Sequence, residues 1–135
     1  MKDNHTNNKY LGNLAFILHA HLPYVRKNEK NSLEEDWFFQ ALLECYIPLI
    51  NVLEESLKSE PDNAKLTISL SPTLISLFQS SELQDKFPEW INTRIKLLKE
   101  LPEEQKNASQ FLLKNMTDQL IYWQKYSGKI LNRFK

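Results

Sequence analysis

The chain has 135 residues, enough for one domain of ordinary size, and its 17 basic and 17 acidic residues balance. Seven Phe, five Tyr and three Trp within a hydrophobic fraction of 41% argue against disorder. No basic patch points to nucleic acid, and no apolar stretch approaches the roughly 18 residues of a membrane span. The single cysteine, Cys45, excludes an internal disulfide and a cysteine-built zinc site. With two glycines, Gly12 and Gly128, neither a phosphate-binding loop nor a dinucleotide fingerprint can be assembled. Residues 1–10 are polar, contain His5 and lack the apolar core of a signal peptide. A cytoplasmic, soluble protein without a cofactor is expected.

Gly12 permits a turn before the apolar run Leu14–Leu18. Five consecutive apolar residues predict a strand buried on both faces, as in parallel sheets covered by helices. The run stops at His19-Ala20-His21-Leu22-Pro23, where a loop to residue 31 begins. Side chains alternate along an extended backbone, so the two imidazoles are placed on one side.

Ser32 with Glu35 fits a capping box. The helix it starts is read with Trp37, Ala41, Cys45, Leu49, Val52 and Leu53 on its apolar face, kinked at Pro48 and running to Leu57. Pro61-Asp62-Asn63 is a turn signal, and Leu66–Leu70 a second strand. Ser71-Pro72 reads as a cap followed by proline at the first helical position, opening a short helix to about Gln79. Ser80 or Ser81 starts a helix with Phe87, Ile91, Ile95 and Leu98 on one stripe, bent or restarted at Pro88. Pro102 marks a break before a last helix carrying Leu112, Met116, Leu120 and Trp123, with Leu131 beyond.

The order strand, helix, strand, then three helical pieces defines an α/β chain with one βαβ crossover. Two strands make no sheet that buries itself, and a closed β/α barrel takes about 250 residues. The expected fold is the first part of a larger α/β domain.

Four segments then carry a resemblance. His19-Ala20-His21-Leu22-Pro23-Tyr24-Val25-Arg26 is similar to the first signature region of glycoside hydrolase family 57. Glu34-Glu35-Asp36-Trp37-Phe38-Phe39, Tyr46-Ile47-Pro48-Leu49 and Leu66-Thr67-Ile68-Ser69-Leu70-Ser71-Pro72 continue the match, which resembles the 1,4-alpha-glucan branching enzymes of that family over roughly the first hundred residues. The resemblance implies an incomplete, seven-stranded β/α barrel, of which residues 11–135 are the amino-terminal portion. It implies a retaining transfer of an alpha-1,4-glucan segment to a 6-hydroxyl, with a glutamate nucleophile and an aspartate acid/base about 5–5.5 Å apart. Both carboxylates belong to downstream signature regions, so no catalytic residue is expected in this chain. What it does assign is substrate contact: His19 and His21 to the wall of the subsite holding the reacting sugar, and Trp37 to the border of the cleft. The expected partners are an alpha-glucan and the remainder of the catalytic domain.

Plainer readings stand beside these. The histidines would also serve as a structural pair capping the strand end, or as metal ligands in the manner of amidohydrolases, although no further ligand cluster follows. Trp37 lies on the stripe assigned to the core. Glu34, Glu35 and Asp36 suit the positive end of a helix dipole, and Cys45 is read as a small core residue. A non-catalytic helical module that associates with another polypeptide is the third alternative.

Overall fold

The computed structural model describes residues 14–24, 32–59 and 66–134. The polar tail with His5, the Gly12 turn, the loop from residue 25 to 31 and the Pro61-Asp62-Asn63 turn lie outside the described residues. Two short strands, β1 (Ile17–Ala20) and β2 (Thr67–Leu70), form a parallel two-stranded sheet. Between them run α1 (Leu33–Ala41), a π-helical turn (Leu42–Tyr46) and α2 (Ile47–Ser59). After β2 come α3 (Pro72–Gln79), α4 (Ser81–Lys99), α5 (Glu103–Lys125) and a 3₁₀ helix, Ile130–Phe134. The α/β order is as expected, and β1 starts three residues later than Leu14 because pairing with β2 begins at Ile17↔Thr67.

The first helical region departs from the predicted stripe. Its buried apolar residues are Phe38, Phe39, Leu42, Leu43, Tyr46, Ile47 and Ile50, whereas Cys45 and Val52 are exposed and Trp37 is 44% exposed. The expected and observed rows lie one position apart with the same four-residue spacing. The observed one, with Phe39, Leu43 and Ile47 beside Phe38, Leu42, Tyr46 and Ile50, carries the larger apolar side chains and takes the core, and a π-helical turn lies within it. The Ile47 amide donates to the Leu42 carbonyl, five residues back. The wider turn offsets the drift that an i, i+4 row accumulates in a 3.6-residue helix, so Phe38, Leu42, Tyr46 and Ile50 stay close to one line. It sits immediately before Pro48, which has no amide to donate and whose ring crowds the preceding turn. Pro48 therefore reshapes the helix without ending it.

Ring contacts organise the core into two joined groups. Phe78 packs edge-on against Phe38 and Tyr46 and also meets Phe134. Phe87 packs against Phe39, Trp90 and Trp123. Phe38 and Phe39 touch, with ring centroids 5.8 Å apart, and so link the groups. On α4 the buried stripe is Leu83, Phe87, Ile91 and Ile95, with Leu98 half-buried, as the spacing predicts; Pro88 does not restart the helix. On α5, Trp123 is buried and Met116 and Leu120 pack against the core, but Leu112 faces solvent. Leu131 packs against the core from the 3₁₀ helix.

The end of α5 is a Schellman cap: the Gly128 amide bonds the Trp123 carbonyl at 3.0 Å and the Ser127 amide the Gln124 carbonyl at 3.0 Å. Gly128 has φ +71°, and a Cβ there would lie 2.9 Å from the Trp123 ring, so both backbone and space require glycine. The cap turns the chain so that Arg133 reaches Glu54 on α2 through its Nε, at 2.7 Å, and its NH2 group. Tyr122 donates to the same carboxylate oxygen at 3.0 Å. Partial burial opposes ionisation of Glu54, but the hydrogen bonds from Arg133 and Tyr122 outweigh it and hold the carboxyl below its usual range. Burial, reinforced by Glu54, pushes the Tyr122 phenol up to about 12.

Two outcomes are expected. Phe87→Ala removes a side chain with no exposed surface from the second aromatic group and should cost about 3–5 kcal/mol in urea unfolding. Because the folded Glu54 pKa is depressed, its contribution is complete above the unfolded glutamate value of about 4.3 and is lost as pH falls through the folded value. The acid-side fall in melting temperature should therefore be shallower in Glu54→Gln than in the parent chain, measured by circular dichroism.

Candidate functional site

Parallel pairing places His19 directly opposite Ser69. By the period of two, Ile17 and His19 on β1 share a face with Thr67 and Ser69 on β2. That face is open: Ile17 is 67% exposed, and both His19 and Ser69 are exposed. Ala20 and Leu70 lie on the other face and pack against the helical core. Within the described residues β1 is therefore not buried on both faces. Among the described residues the helices cover only the Ala20–Leu70 end of one side, and Leu14, Phe16, Ile17 and Leu18 all remain exposed.

At the carboxyl ends of the strands, His19 and His21 stack with nearly parallel rings, centroids 6.3 Å apart and planes within 9°. His19 Nδ1 lies 3.3 Å from Ser69 Oγ. The two imidazoles therefore present their edges to the same space, as the alternation of side chains requires.

Behind them a chain of hydroxyls fixes the backbone. The Ser71 amide donates to the Ala20 carbonyl at 3.0 Å, extending the ladder past the strand end. Ser71 Oγ caps α3 by accepting from the Leu74 amide at 3.3 Å. Thr73 donates its hydroxyl proton to the Leu22 carbonyl at 3.1 Å. With that proton committed, the 3.0 Å contact between the two hydroxyls runs from Ser71 to Thr73. The relay Leu74 amide, Ser71, Thr73, Leu22 carbonyl satisfies the buried Ser71 and ties the segment after His21 to the start of α3.

Trp37 stands on the exposed side of α1 and not in the core. It shares no ring contact or hydrogen bond with either histidine. Its neighbours on α1 have partners that the sequence did not announce. Ser32 caps α1 by accepting from the Glu35 amide at 3.2 Å, but the Glu35 carboxylate pairs with Lys86 on α4 at 2.8 Å and does not close the capping box. Asp36 accepts from Trp90 Nε1 at 2.6 Å and Arg94 at 2.5 Å, both on α4. The Arg94 guanidinium also lies 3.6 Å from the Trp90 ring centre. A groove of about 730 Å³ runs between α1 and α4 over these groups. Glu35 and Asp36 are anchors between helices, beyond the dipole role expected of them; no period or short motif joins residues more than 50 positions apart, so sequence spacing carried no signal for them.

Among the described residues, no three His, Cys, Asp or Glu side chains gather as a metal ion would need, and no helix is long and apolar enough to cross a membrane.

An open polar face at the carboxyl ends of parallel strands is where β/α enzymes place their ligands. Residues 15–135 match the model of glycosyl hydrolase family 57, and the chain belongs to that family. A 1,4-alpha-glucan branching enzyme of Thermococcus kodakarensis is 29% identical over 127 residues, covering 92% of this chain and 19% of that enzyme. The crystal structure of a GH57-type branching enzyme from Pyrococcus horikoshii superimposes with a TM-score of 0.79 at 33% identity, over 89% of this chain and 23% of the other. That of the alpha-amylase AmyC from Thermotoga maritima gives 0.74 at 30% identity, over 89% and 24%. The chain therefore spans about a fifth of the length of its curated relative and about a quarter of the solved structures.

Proposed function

We propose that this chain is the amino-terminal portion of the catalytic domain of a 1,4-alpha-glucan branching enzyme and contributes part of the wall that holds the reacting sugar. The observation that carries this is the stacking of His19 and His21 on the open face beside Ser69, at the strand ends, within a match to branching enzymes that covers nearly the whole chain. Imidazole nitrogens donate to and accept from sugar hydroxyls, and near an anomeric centre they stabilise developing charge. The indole of Trp37, exposed on α1, offers an apolar face to a sugar ring at the border of the cleft.

On this reading the glutamate nucleophile and the aspartate acid/base of the retaining reaction come from sequence outside these residues. The exposed apolar side of β1 is covered by the remainder of an incomplete seven-stranded barrel, in a cytoplasmic enzyme. Association with that remainder takes up the helical-module alternative.

Two measurements test this. The purified chain should give no branching of amylose in an iodine-stain assay; robust branching would mean that it contains the catalytic carboxylates. Titration with maltoheptaose should shift the ring resonances of His19 and His21 and leave those of His5 in place. Unmoved rings in the presence of bound glucan would remove the histidines from the substrate wall.

A further inference from the structure

We propose that Ser69 is a positioning residue for His19, selecting which imidazole nitrogen carries the proton and so which chemistry the ring presents to a sugar. The inference rests on the reading of His19 as a substrate contact and deepens it.

The two residues are register partners on paired strands, so the backbone ladder fixes their relative height and both side chains leave the same face. Ser69 Oγ lies 3.3 Å from His19 Nδ1, and among the described residues it has no other hydrogen-bond partner. The Ser69 hydroxyl can donate or accept, so the contact alone fits either tautomer; neutral imidazole intrinsically favours the Nε2–H form, which leaves Nδ1 as the acceptor and gives Ser69 the donor's part. Donation from Ser69 places the Nδ1 lone pair in that bond and leaves the proton of neutral His19 on Nε2. The His21 ring lies parallel on its flank. His19 then presents an Nε2–H donor, matched to a sugar oxygen, and not a second acceptor. The partner of one ring nitrogen setting the state of the other is a general property of histidine.

The test uses the full chain labelled with ¹⁵N-histidine, which has three histidines to resolve. Long-range ¹H–¹⁵N spectra at about pH 8.5, above the ordinary imidazole range, read the tautomer directly. The variants are Ser69→Thr, which keeps the hydroxyl, and Ser69→Val, which has the shape of threonine without it. Both are β-branched and suit a strand, and Ser69 is exposed, so folding is common to the pair. In the parent chain and Ser69→Thr, His19 should be mainly the Nε2–H tautomer. In Ser69→Val the tautomer ratio should fall by about two- to tenfold, the effect of one hydrogen bond, while His21 is unchanged. An equal ratio in Thr and Val variants, or a dominant Nδ1–H form in the parent chain, would overturn the proposal whatever the glucan titration shows.

The affinity for maltoheptaose should weaken by a similar factor in Ser69→Val and be retained in Ser69→Thr. Equal affinity of the two variants would overturn the functional half. A parent chain whose tautomer is as stated but whose His19 ring does not respond to glucan overturns the substrate-contact reading instead.

Discussion

The parallel pairing of β1 with β2 is the constraint on which the rest of the molecule depends. Four residue pairs, from Ile17↔Thr67 to Ala20↔Leu70, join parts of the chain fifty positions apart. The bond from the Ser71 amide to the Ala20 carbonyl carries the pairing one step beyond the strands. That step delivers the N-terminus of α3 to the segment that follows His21. Without it, Ser69 would have no relation to His19 and Thr73 none to the Leu22 carbonyl. The candidate site belongs to the pairing and not to either strand alone.

The helices hold that pairing from one side. Aromatic packing through Phe39, Phe87 and Trp123 joins α1, α4 and α5, and the buried stripes of these helices supply non-directional attraction. Direction comes from polar bonds: Glu35 to Lys86, Asp36 to Trp90 and Arg94, and Glu54 to Tyr122 and Arg133. Removal of one partner from such a cluster leaves the others short of hydrogen bonds in a partly desolvated setting. The orientation of α1, and hence of Trp37 on its outer side, is set by its attachment to α4.

Much of this order was legible from local chemistry. Ser71-Pro72 marked the start of α3 because a serine oxygen and a proline suit that position in any helix. Phe87, Ile91 and Ile95 marked the buried side of α4 because the helix is regular there. The alternation of His19 and His21 put both rings on one side for the same reason. The side of α1 and α2 that faces the core differs from the expected one because two neighbouring rows of the same spacing, Trp37-Ala41-Cys45-Leu49 and Phe38-Leu42-Tyr46-Ile50, both read as apolar, and period alone does not choose between them. Apolar content alone also gave no warning that β1 would keep an open face, since five hydrophobic residues look the same whether their cover lies in this chain or elsewhere. Ser69 escaped notice as a partner of His19 because only the strand register relates them.

The register is therefore the central claim, and hydrogen exchange of individual amides tests it most directly. The amides of Thr67 and Ser71 bond the carbonyls of Phe16 and Ala20 across the sheet. Both should exchange slowly, as amides held in a paired ladder do, and should lose that protection together when β1 is disrupted by Leu18→Pro. Exchange of either amide at the rate of an unstructured chain in the folded protein would contradict the pairing, and with it the placement of Ser69 beside His19.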